Sequence, residues 1–282
     1  MAKIRVGSGD VSYDEAGSGP PVVLVHAGLA DRRMWEHQFR SLADSYQVIR
    51  YDWRGRGESD DVIGGEVSHH EDLLGLMDAL DVEQAALVGC SMGGAYALNA
   101  ALTAPTRVRG LALICSGLTG YTWPPATVQQ FQDSVSPALG ARCQRYAART
   151  AMWVDPADIE AMATSNVRLL VVGPDRVPAD IDPAVWQQAL LMCRGVFARD
   201  WSGPIHRELP LEPGPLGRLA EITAPTLVIN GRHDIAGVQE IANLLVRGIA
   251  GAQRLDLDTG HLPPLEQPSA VTSALAEFLT SL

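Results

Sequence analysis

Ser91 stands in the stretch LVGCSMGGAYAL, residues 87–98, framed by Gly89 and Gly93 in a G-x-S-x-G pattern. A serine hydroxyl is a poor nucleophile at neutral pH. It needs an adjacent base, and the base needs an acid to hold its tautomer. An apolar run (85–89, AALVG) precedes the serine, and a segment of helical character (93–104) follows it up to Pro105. Strand, tight turn and helix in that order force the serine into a strained conformation and leave its hydroxyl exposed. Cys90 is the better intrinsic nucleophile. It precedes the serine, however, and is expected to face away from the open edge and pack as a small apolar residue.

Seven histidines could supply the base: His26, His37, His69, His70, His206, His233 and His261. His69 and His70 open the helical stretch HHEDLLGLMDAL and are expected to be solvated, as is His37 on an earlier helix. His206 lies in a segment outside the sheet rhythm, and His26 is expected to organise a loop. His261 sits in DTGHLPPLEQP, just after the last apolar strand and shaped by Gly260, Pro263 and Pro264. Asp234, in the turn GRHD after the strand TLVIN, precedes it by 27 residues. Asp256 and Asp258 are rivals for the acid, but they fall in the strand before His261. The chain order is serine, acid, histidine. A developing oxyanion also needs backbone donors. One is expected from the N–H of Met92, and the other from Gly28 in the loop after VVLVH.

These groups require a sheet that delivers them to one edge. Predicted strands at 22–25, 47–52, 85–89, 108–115, 226–230 and 254–258 alternate with helical segments at 35–42, 69–80, 93–104, 238–246 and 268–279. Continuous apolar strands alternating with helices predict a mostly parallel sheet covered on both faces. The rhythm breaks between about 117 and 215. That region reads as helical, with LLVV at 169–172 as its one ambiguous apolar run. The predicted architecture is an α/β core of residues 1–116 and 216–282 carrying a mostly helical insertion, 117–215.

The chain has 282 residues and a formal charge of −11. That acidity repels phosphate backbones and anionic surfaces, so neither a nucleic-acid partner nor a membrane is expected. Cys90, Cys115, Cys143 and Cys193 form no C-x-x-C pair, and the N-terminal stretch lacks an apolar signal core, so a cytoplasmic setting is expected. The glycine turns GSGD and GRGES do not complete a phosphate loop, and His69-His70-Glu71-Asp72 lacks ligand spacing. No metal and no organic cofactor are expected. Arg176 reads as a solvated surface residue. Leu29, Trp123, Trp153, Trp186 and Leu262 are the candidate lining of a substrate pocket.

On the segments VHAGLADRRMW, YDWRGRGESD, VGCSMGGAYAL, APTLVINGRHD and GHLPPLEQP, the chain resembles α/β-hydrolase-fold enzymes over nearly its whole length. In detail it is similar to the esterase and lactonase branch, including 3-oxoadipate enol-lactonase-like hydrolases. Ala27 departs from the glycine that this family more often has after the histidine. The resemblance implies a helical cap over the active site and a cofactor-independent serine hydrolase. Its substrate would be a small, fairly apolar ester or lactone. Hydrolysis of C–C bonds in β-diketones, thioester cleavage and acyl transfer use the same apparatus, and a non-turnover ligand-binding receptor can retain it. A serine at position 91 argues against the dehalogenase and epoxide hydrolase branches, which use aspartate there.

Overall fold

A computed structural model describes residues 2–63 and 65–282. Eight strands form one sheet: β1 (Ala2–Val6), β2 (Gly9–Ala16), β3 (Pro21–Val25), β4 (Gln47–Asp52), β5 (Ala85–Cys90), β6 (Val108–Ile114), β7 (Thr226–Gly231) and β8 (Gln253–Leu257). Their order is β1-β2-β4-β3-β5-β6-β7-β8. From β4 to β8 all neighbours are parallel, while β1 and β2 add an antiparallel edge. GSGD is thus the turn of that edge hairpin. It carries charged and polar residues that hide the strand signal.

The apolar runs are continuous because both faces of the sheet are buried. Val22 and Leu24 face one apolar cluster, Val23 and Val25 the other. On one face lie α2 (His69–Ala79), α3 (Met92–Thr103) and most of α8 (Ala236–Gly248); on the other lie α1 (Glu36–Leu42) and α10 (Pro268–Thr280). Between β3 and β5 the strand order reverses: β3 leads to β4 on one side, and β5 starts the run to the other. Loops that leave neighbouring strands in opposite directions open a crevice at the carboxyl edge. Those two loops carry Gly28 and Ser91.

Between β6 and β7 the chain runs through four helices, α4 (Pro125–Asp133), α5 (Pro137–Ala147), α6 (Pro156–Asn166) and α7 (Pro183–Ser202). Prolines start each of them, where a missing N–H costs nothing. LLVV falls in a π-helical turn, Val167–Val172, that extends α6 and buries Val171 and Val172 in the core. A short helix, α9 (Pro263–Glu266), follows His261 directly. No helix among the described residues is long and apolar enough to cross a membrane.

Candidate active site

The turn at Ser91 is strained. Its φ is +54°, a left-handed value that few residues other than glycine adopt without strain. The strain is held by hydrogen bonds on both sides. The Ser91 N–H donates to the Ile114 carbonyl at 3.0 Å, and the Ser91 carbonyl accepts from Gly94 at 2.9 Å and Gly117 at 2.8 Å. Glycine is required next to it: a Cβ on Gly93 would lie 2.3 Å from the Val25 carbonyl oxygen, and one on Gly89 would lie 2.3 Å from that of Gly93.

Ser91 Oγ lies 2.7 Å from His261 Nε2, and His261 Nδ1 lies 2.6 Å from Asp234 Oδ2. Facing a carboxylate, Nδ1 carries the proton and donates, which leaves the Nε2 lone pair for the serine hydroxyl. The second Asp234 oxygen accepts the Ile235 N–H at 2.8 Å, so both carboxylate oxygens are engaged. Asp234 and His261 are buried. The rivals are occupied elsewhere: Asp256 pairs with Arg254 and Asn230, and Asp258 with His233. Cys90 is fully buried, its thiol 3.7 Å from the His261 carbonyl, and burial pushes that thiol well above its usual range. Cys115, Asp234 and His261 could offer three metal ligands within 4.8 Å of one another. Burial raises the Cys115 thiol too, which opposes the thiolate a metal needs.

Gly28 and Met92 touch. A Cβ on Gly28 would lie 2.4 Å from the Met92 sulfur. Met92 begins α3, where backbone N–H groups lack intrahelical acceptors. Behind the Gly28 loop His26 is fully buried, its Nδ1 2.8 Å from the Ala27 carbonyl and 3.1 Å from the Trp53 indole nitrogen. Burial pushes the His26 pKa down, which keeps the ring neutral beneath the loop.

These groups open on a pocket of about 260 Å³. Ser91, His261, Gly28 and Met92 line it, with Leu29 from the same loop. Leu170, Val196 and Phe197 of the β6–β7 helices add apolar wall, and Arg56, Asn166 and Asp200 add polar wall. A model of the alpha/beta hydrolase fold matches residues 20–268.

The chain belongs to the alpha/beta hydrolase fold family. A pyrrolizixenacetamide deacetylase of Xenorhabdus hominickii is 29% identical over 100% of this chain and 98% of its own length. The 3-oxoadipate enol-lactonase 1 of Acinetobacter baylyi is 25% identical over 94% of this chain and 90% of its own. Among solved structures, a thermophilic esterase from Thermogutta terrifontis superposes with a TM-score of 0.72 at 27% identity, covering 99% of this chain and 98% of that one. These three relatives are hydrolases by name, which supports a hydrolase on this fold.

Other residues of this α/β-hydrolase-fold chain fall where the sequence did not suggest. His69 and His70 are buried rather than solvated. His69 packs against Trp53 and Tyr96, and burial lowers its pKa to about 3. Their helix lies against the sheet with its first turn facing inward. Of the expected pocket lining, Leu29 is on the wall. Leu262 is fully buried in the core behind His261, and Trp186 packs at the edge of that core. Trp123 lies against Gly237 and Tyr121, and Trp153 is 66% exposed. Arg176 is not a free surface residue. It binds Glu266 at 2.8 Å and the carbonyls of Val171 and Val172 at 3.1 and 2.6 Å. Glu266 in turn accepts the Gly260 N–H at 2.7 Å, and the His261 N–H donates to Leu170 at 3.0 Å. The π-helical turn therefore holds the His261 loop. Arg56, in the glycine turn after β4, had a readable signal, since that turn opens at the same sheet edge. Asp200, in the last turn of α7, had none.

Proposed function

We propose that the protein is a cofactor-independent serine hydrolase that cleaves a small carboxylic ester or lactone through an acyl-enzyme. Ser91 attacks the carbonyl as His261 Nε2 accepts its proton, and Asp234 stabilises the imidazolium. The N–H groups of Gly28 and Met92 receive the oxyanion. The alcohol leaves with the proton from His261. Water, activated by the same histidine, then releases the acid. Residues 117–215 act as a cap whose helices supply the walls that set substrate size.

The observation that carries this reading is the continuous contact from Ser91 Oγ through His261 to the buried carboxylate of Asp234, at 2.7 and 2.6 Å. The small pocket with apolar sides fits a small substrate. The deacetylase and enol-lactonase relatives act on acyl groups, which agrees with it. Some other relatives are named hydrolases of 2-hydroxy-6-oxo dienoates, so C–C cleavage of β-diketone-like substrates is the second reading. Thioester cleavage and acyl transfer share the nucleophile. A receptor that holds its ligand without turnover differs from all of these in making no product.

The test is a panel of esters, lactones, thioesters and β-diketones with Ser91→Ala as the blank. Multiple turnovers on an ester or lactone, abolished in Ser91→Ala with the fold intact, are expected. Full esterase activity in that variant would overturn the reading.

A further inference from the structure

The Ser91 pocket has a wall that acyl transfer leaves unused. Arg56 and Asp200 both line it. Arg56 Nη1 donates to Asp200 Oδ1 at 2.6 Å, and Nη2 to Oδ2 at 3.2 Å. Arg56 also donates to the Gly55 carbonyl at 2.8 Å and lies over Trp53, 4.8 Å from the ring centroid. Its side chain is only 12% exposed. A guanidinium carries five N–H donors, and these contacts use three. The Nε–H is buried and has no partner among the described residues. Asp200, accepting one bond on each carboxylate oxygen from Arg56, retains lone pairs. The pair is also a partition. Arg56 borders a neighbouring cavity of about 240 Å³, and Asp200 borders another of about 310 Å³.

We propose that the Arg56–Asp200 pair is the specificity-determining wall of this pocket. It takes a substrate end that is neutral and both donates and accepts hydrogen bonds, such as a carboxamide, and it turns away a carboxylate. This deepens the serine hydrolase reading and rests on it. The pair carries no net charge. A carboxylate placed against it meets the like charge of Asp200, while the Arg56 charge is already matched, so its lost hydration is not made good. A carboxamide offers its N–H groups to Asp200 and its oxygen to the second Nη2–H of Arg56. An apolar end leaves the second Nη2–H of Arg56 and the spare Asp200 lone pairs without partners, at the cost of unmade hydrogen bonds.

Alkyl fluorophosphonates of one length, ending in methyl, carboxamide or carboxylate, test this through the rate at which they label Ser91. Labelling reports binding and nucleophilicity without requiring turnover. In the unaltered protein the carboxamide probe is expected to react about tenfold faster than the carboxylate probe. In Asp200→Asn, Arg56 keeps its charge without a counter-ion, so the carboxylate-to-methyl rate ratio rises about tenfold. In Arg56→Gln, Asp200 is left alone and the same ratio falls. Ratios that stay within about twofold across the three proteins overturn the wall's role while leaving the nucleophile in place. No labelling of Ser91 by any probe overturns the hydrolase reading, and the wall with it.

Discussion

In the proposed mechanism Asp234 sits where one proton decides the outcome. An asparagine there retains an oxygen for the Ile235 N–H, so the turn survives. Its amide N–H₂ would then face His261 Nδ1 and force the ring to accept. The proton moves to Nε2, and the ring points a donor at Ser91 where the proposed mechanism needs a lone pair. Asp234→Asn is therefore expected to lower kcat by about three to four orders of magnitude, with an unchanged melting temperature and circular dichroism spectrum. A loss of less than about tenfold in steady-state assays would remove Asp234 from the acid role. Cys90 makes the opposite case. The more nucleophilic atom is the buried one, its thiol held protonated by its apolar surroundings. Cys90→Ala is expected to keep its activity and lose about 1 kcal/mol of stability in urea titrations. Inactivation without unfolding would reopen its chemical role.

Elements explain which of these residues the sequence could disclose. Ser91, Asp234 and His261 each follow a parallel strand; β5 and β7 are visible as apolar runs because both faces are covered, whereas the edge strand β8, QRLDL, shows only an alternating pattern. Strand order then places all three at one edge. The rest of the pocket has no such signal. Leu170, Val196, Phe197 and Asp200 come from helices whose placement depends on tertiary packing, and a helical period cannot tell a pocket wall from a core face. The π-helical turn was equally hidden, since VRLLVV suits strand or helix; a Cβ on Gly260 would lie 2.1 Å from the Val171 carbonyl, so the fit depends on the loop pressed against it. Glu266 fastens that contact by accepting from Gly260 while paired with Arg176, both side chains nearly buried. Burial pushes its carboxyl up, against the pull of Arg176. Glu266→Ala is expected to cost about 3–5 kcal/mol, because it strands a buried cation and frees the His261 loop. Glu266→Gln keeps an acceptor for Gly260 and should recover part of the lost kcat with little change in KM. Equal kcat values for the two variants, at temperatures where both remain folded, would deny Glu266 its positioning role.

At the scale of the molecule, the β6–β7 helices are joined to the sheet by contacts that are partly ionic and so depend on pH. His233, in the loop after β7, has Nδ1 2.9 Å from Asp175 of the β6–β7 segment and Nε2 2.7 Å from Asp258 after β8. The hydrogen bond to Asp175 raises the His233 pKa, and the same bond lowers that of Asp175. A histidine with a raised folded pKa contributes all of its stabilisation below its unfolded value, about 6.5, and loses it as pH rises through the folded value. An aspartate with a depressed folded pKa contributes above its unfolded value, about 3.9, and loses it as pH falls through the folded one. The bridge is therefore strongest in mild acid, between those two limits. Because both carboxylates are largely exposed, it is worth under about 1 kcal/mol. His233→Gln should lower the melting temperature at about pH 5.5 and leave it nearly unchanged at about pH 9, where the native histidine is neutral as well. Adding salt should shrink the difference at the lower pH, since exposed charges are screened. An equal deficit at both pH values would mean that His233 acts by packing, and that its charge does not join the helices to the sheet.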